Sequence, residues 1–200
     1  MKKKEKPVMP IKKREDVHRV AEYIRENYRN GEMLRILFLI GCNTGLRSGE
    51  LRGLKIEVLL GRSSFTLQDN KRNKTRLIFI NSSLKQEIER YIHEPKIKNK
   101  RIGDINVEII SINLQEKSDF IFVGGQGAVV GVKYMHSLIA DACRNVGIKG
   151  NFGSMTMAKT FAYHVFQRTG DLNAVQSLLM HSDQSLTKNY IHDRRSLRLA

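Results

Sequence analysis

Two short runs, SSFTLQ (63–68) and TRLIFIN (75–81), break a chain whose apolar residues otherwise recur at helical spacing. Both are rich in β-branched and aromatic residues, and both flank the polar stretch DNKRNK. A change of period from 3.6 to 2 around such a stretch predicts a β-hairpin, here with a strongly basic tip. The expected fold is therefore mainly α with a small antiparallel β-sheet (α+β).

The helical pattern lies on both sides of that hairpin. Val17, Val20, Ala21 and Ile24 form one stripe over residues 15–29, and Asn30 and Gly31 can stop it. EMLRILFLIGCNTG reads as a more buried helix ending near Gly45. LRSGELRGLKIEVLL carries on as a short helix with Leu46, Leu51 and Leu54 inward. Ser82 or Ser83 can cap LKQEIERYIH. Residues 94–118 read as an inserted loop with a short extra hairpin, and DFIFVG as a buried strand. Four more helices follow in VKYMHSLIADACRNVG, SMTMAKTFAYHVFQRTG, DLNAVQSLLMH (Asp171 as its N-cap) and QSLTKNYIH. There are no repeats. Residues 1–14 are expected to be a flexible basic arm, and 15–200 a single domain.

Charge narrows the partner. Thirty-five Lys and Arg against twenty Asp and Glu give a net charge of +15. Such an excess points to an anionic partner, with nucleic acid first among them. Much of it falls in MKKKEK, IKKR, KRNKTR, PKIKNKR and HDRRSLR, several of which read as loops or chain ends where side chains are free to meet phosphates. Arg72, Lys74 and Arg76 at the hairpin are candidates for that contact. No apolar run reaches the roughly 18–20 residues of a membrane span. The N-terminus lacks the apolar stretch of a signal peptide, so a cytoplasmic location is expected. Cys42 and Cys143 make no metal or redox spacing and read as core residues. No metal, cofactor or membrane is implied.

Arg47 in TGLRSGE, Lys71 in KRNKTRLIFI, His181 after LLM and Tyr190 would each pass singly for an ordinary residue. Their spacings give them meaning. Lys71 lies twenty-four residues after Arg47, and Tyr190 nine after His181. With those spacings TGLRSGELRGL resembles the first conserved box of the tyrosine recombinases, the phage-integrase family, and TFAYHVFQRTGDLNAVQSLLMHSDQSLTKNYIH resembles the second. The resemblance covers roughly residues 15–192. It implies a catalytic-type domain that binds double-stranded DNA, alone or as a homo-oligomer, and exchanges strands without a metal. In that chemistry Tyr190 attacks a phosphodiester, Arg47 clamps its oxygens, Lys71 is the acid for the leaving hydroxyl and His181 donates to the phosphate. Glu50 matches an acidic position that supports the site.

Two positions depart from the family pattern. Its His-x-x-Arg pair aligns with Met155 and Ala158, and the gap from Ala158 to His181 rules out a shifted alignment. Lys159 is adjacent, but one residue around a helix is about 100° away. It is expected to meet the DNA backbone rather than to restore a bidentate clamp. Losing one such donor typically costs about 10²–10³ in rate. Strand transfer is therefore expected to be impaired, with an inactive DNA-binding regulator on the same fold as the alternative. The resemblance further implies that the helical domain preceding this one in complete family members is absent, because Arg47 lies so near the start.

Overall fold

The computed structural model describes residues 7–69, 74–93, 101–102, 105–106, 119–124 and 127–191. Helix α1 (Arg14–Asn27) leads into α2 (Gly31–Thr44) and two short helices, α3 (Ser48–Arg52) and α4 (Ile56–Leu59). Strands β1 (Ser64–Asp69) and β2 (Lys74–Phe79) follow, then α5 (Ser82–His93). Two-residue strands β3 (Arg101–Ile102) and β4 (Ile105–Asn106) precede α6 (Val132–Asn145), α7 (Thr156–Thr169), α8 (Leu172–Leu179) and α9 (Gln184–Ile191). The mainly helical fold with a small antiparallel sheet is as expected.

Helix α2 is the axis of the core. Its residues Leu34, Ile36, Leu37, Phe38 and Ile40 are at most 1% exposed, so it is apolar on nearly every side, as a central helix must be. Arg35, the charge inside that apolar run, is buried but donates to Glu32 at 3.1 Å and also pairs with Glu87 of α5. The helix stops at Gly45, whose φ of 69° lies in the left-handed region that glycine enters freely. Helix α7 crosses α2 closely: a Cβ on Gly41 would stand 2.6 Å from the Met157 sulfur.

The hairpin pairs Ser64 with Phe79 through to Asp69 with Lys74. Its period of two is kept: Arg76, Ile78 and Ile80 face inward, whereas Thr75, Leu77 and Phe79 face out. Cys42 and Cys143 are free and buried.

Four local expectations change. The segment after Gly45 is two helices rather than one, because Leu54–Ile56 turns aside: Lys55 forms an isolated bridge with Phe120, and the Ile121 N–H donates to the Leu54 carbonyl at 3.0 Å. DFIFVG makes two isolated bridges, Lys55 with Phe120 and Val123 with Val129, so it is a buried crossing (Ile121 and Phe122 at 0%) and not a full strand. Asn81, not Ser82 or Ser83, caps α5, its Oδ1 accepting from the Leu84 N–H at 2.9 Å. Asp171 caps α8 as expected, accepting from Asn173 and Ala174.

The fourth concerns residues 1–14. Residues 1–6 lie outside the described residues, but 8–13 are docked rather than loose. Ile11 is 1% exposed within the core, and its N–H donates to the Thr160 hydroxyl at 2.9 Å. The Met9 N–H donates to the Asn151 carbonyl at 2.8 Å, and His164 Nε2 lies 3.1 Å from the Ile11 carbonyl. Met9 and Ile11 pack on the core between the lysines of this stretch.

Candidate functional site

The left-handed turn at Gly45 tucks Leu46 into the core and presents Arg47 at the start of α3. The Arg47 N–H donates to Glu50 Oε2 at 2.7 Å, an acidic first-turn contact that fixes the helix entry. The same carboxylate oxygen accepts from the Arg76 guanidinium at 2.9 Å. Arg76 comes from the inward face of β2 and is 5% exposed. Burial lowers its pKa from the ordinary value, Glu50 opposes that shift, and Arg47 adds to it. One carboxylate oxygen thus takes both the Arg47 backbone N–H and the Arg76 guanidinium, and the nearby Arg47 charge leaves the cluster with an excess of positive charge. Arg76 is also within electrostatic reach of Tyr190.

The second half of the site comes from the C-terminal helices. Helix α8 ends at Met180, whose φ of 52° and ψ of 43° are left-handed. That turn points the chain inward at His181, which is 9% exposed. His181 Nδ1 lies 3.0 Å from the Thr187 hydroxyl on α9. Its ring meets Tyr190 edge-on, with centroids 4.5 Å apart and planes at 68°. A cleft of about 480 Å³ lined by Thr75, Asn173, Gln176, Ser177, Met180 and His181 opens beside them.

Arg47, Glu50 and Arg76 therefore form one cluster and His181 with Tyr190 another, linked through the charge of Arg76. Lys71 and Arg72 lie outside the described residues. Lys74 opens β2, paired with Asp69. Met155 is the half-buried N-cap residue of α7, and Ala158 is 1% exposed within it. Lys159 is not on an open face. It is 9% exposed, and its ammonium donates to the Val8 carbonyl at 2.8 Å. Thr187 carries no motif signal, since a contact six residues from His181 depends on how α9 folds back. Among the described residues no group of three or more His, Cys, Asp or Glu could hold a metal ion.

Solved structures share this architecture. The crystal structure of the XerA recombinase aligns with a TM-score of 0.70 at 21% identity, over 96% of this chain and 64% of that one. The catalytic domain of bacteriophage HP1 integrase aligns with a TM-score of 0.55 at 18% identity, over 96% and 92%. The fold is that of a tyrosine-recombinase catalytic domain. The family model described as the phage integrase family matches residues 11–196, and the chain belongs to that family. Among curated relatives, a probable integrase/recombinase YoeC of Bacillus subtilis is 27% identical over 185 residues, 92% of this chain and 89% of that one. The tyrosine recombinase XerD of Listeria monocytogenes is 27% identical over 164 residues, 82% of this chain and 50% of that one. The chain thus spans about half the length of this XerD relative.

Proposed function

We propose that the chain is a site-specific DNA strand-transfer protein that acts on double-stranded DNA through Tyr190 and whose rate is limited by Met155 and Ala158. The observation that carries this reading is the edge-on packing of His181 against Tyr190 with Arg76 in reach. In the reaction the Tyr190 Oη gives up its proton to solvent and attacks phosphorus, and the bond from phosphorus to the 5′-oxygen breaks. The phosphate stays on Tyr190 as a 3′-phosphotyrosyl ester, and the departing 5′-oxygen takes a proton, from Lys71 in this reading. A second 5′-hydroxyl reverses the step, so no external energy source is needed. Arg47 supplies the planar fork suited to two phosphate oxygens. Arg72 and Lys74 steer the duplex, while Arg76, enclosed against Glu50, supports the Arg47 end of the site. Acting on chromosomal or mobile DNA places the chain in the cytoplasm, with self-association on the duplex as one route to pairing two sites. Among the described residues no helix is long and apolar enough to cross a membrane.

The replaced pair favours a second reading, a DNA-binding regulator without strand transfer. Ala158 has no donor, and its 1% exposure leaves no open gap for a neighbouring side chain to fill. One gel separates the two. The protein is mixed with a nicked trapping duplex and run under denaturing conditions. A Tyr190-dependent shifted band establishes strand transfer. An adduct seen only after Met155→His with Ala158→Arg establishes the regulator with a disabled site. Duplex affinity that does not fall with salt would sink both, because each depends on phosphate contacts.

A further inference from the structure

Lys159 occupies a position in α7 where a core residue would ordinarily be apolar. An ammonium so buried is unfavourable unless acceptors meet its three N–H groups. It finds the Val8 carbonyl at 2.8 Å, the Asn189 carbonyl within 3.5 Å, and the ring of Tyr190 with its centroid 5.6 Å away. A cation near an aromatic face is attracted by the ring quadrupole. Two of the three contacts therefore fall on adjacent residues of α9, one on the backbone before Tyr190 and one on its side chain. The third falls on the segment ahead of α1.

We propose that Lys159 is a positioning residue for Tyr190: its ammonium ties the tyrosine and the backbone before it to α7, and the Val8 carbonyl holds that ammonium in place. The inference deepens the reading above and rests on Tyr190 as the nucleophile. Burial lowers the Lys159 pKa from its ordinary value, a cost that a space-filling Leu or Met would not carry. With His181 at 4.5 Å, Tyr190 is held by two separate contacts. The chain has lost the guanidinium expected at 158 and carries a cation one residue on. That cation points at the nucleophile's ring and backbone, so it sets where Tyr190 stands without clamping the phosphate. Displacing residues 8–11 from α7 would free the ammonium and loosen Tyr190. The N-terminal segment and the nucleophile are thereby coupled.

The test is NMR of the whole chain with ring-¹³C tyrosine, the Tyr190 signal being assigned by Tyr190→Phe. Lys159→Met is expected to shift the Tyr190 signal while those of Tyr23, Tyr28, Tyr91 and Tyr134 hold. Lys159→Arg, which keeps the charge and donors, is expected to return it toward the wild-type position. If the Met variant does not fold, Lys159→Gln is read by the same signal. A Tyr190 signal that ignores the charge at 159 overturns the proposal. So does a salt slope of duplex affinity that falls by about one unit in Lys159→Met, since that marks a direct phosphate contact. A response of Tyr190 to Lys159 in a chain that forms no Tyr190 adduct even with Met155→His and Ala158→Arg sinks the nucleophile reading and leaves the tether standing.

Discussion

Glu50 Oε2 accepts the Arg76 guanidinium at 2.9 Å, joining the start of α3 to the inward face of β2. The contact does two things at once. It satisfies a buried cation, and it holds Arg47 in register, because the same oxygen takes the Arg47 N–H. Glu50→Ala leaves Arg76 buried without its carboxylate. Stability should fall by about 2 kcal/mol, the order expected when a buried charged donor loses its partner. Urea titration reads the loss, and Glu50→Gln, which keeps an acceptor, should lose less. Duplex affinity should drop further than the folded fraction explains, since Arg47 loses its fixed entry.

The crossing of α2 and α7 leaves no room at Gly41. A methyl there would meet Met157 Sδ at 2.6 Å and its Cβ at 2.9 Å. Gly41→Ala should cost about 1–3 kcal/mol through overpacking, despite the better helix propensity of alanine. Pairing it with Met157→Ala should recover part of the loss, which thermal melts of the single and double variants would show.

Met180 holds a left-handed backbone that glycine adopts freely and that costs other residues about 1–2 kcal/mol. Met180→Gly should therefore raise the melting temperature by roughly 2–4 °C, the shift expected for about 1 kcal/mol at this chain length. The contact of His181 with Thr187 should persist. A fall in melting temperature would mean that the Met180 side chain contributes more than the turn costs.

Stability should depend on pH through His164. Burial lowers its pKa below the ordinary histidine value, with Arg14 acting in the same direction and the Ile11 carbonyl opposing. The unfolded chain then binds the proton first. Stability is full above the unfolded histidine pKa of about 6.5 and is lost as pH falls through the window down to the folded value. The urea midpoint should fall between pH 7.5 and pH 5. That fall should shrink in His164→Gln, whose amide can still donate to the Ile11 carbonyl.

Most of the fold could be read from spacing alone, because long amphipathic helices declare themselves through a repeated apolar face. The hairpin did so through its change of period. Local interactions of low sequence weight were harder. Asn81 outcompeted two serines as a cap, and no rule of composition separates them. Lys55 bridged to Phe120 across 65 residues, a pairing set by tertiary packing. At the candidate site, motif spacing singles out Arg47, His181 and Tyr190, and the fold sets His181 against Tyr190. The burial of Arg76 and Lys159 is not legible there: a basic residue in sequence reads as a surface residue, and only the packed structure shows which cations are enclosed.

The hydrogen bond between Ile11 and Thr160 spans 149 residues of chain. During synthesis the first of these emerges long before the second. At about 5–20 residues per second, Ile11 waits on the order of 10 s for its partner. Over that interval an isoleucine destined for the core stands in water beside a run of lysines.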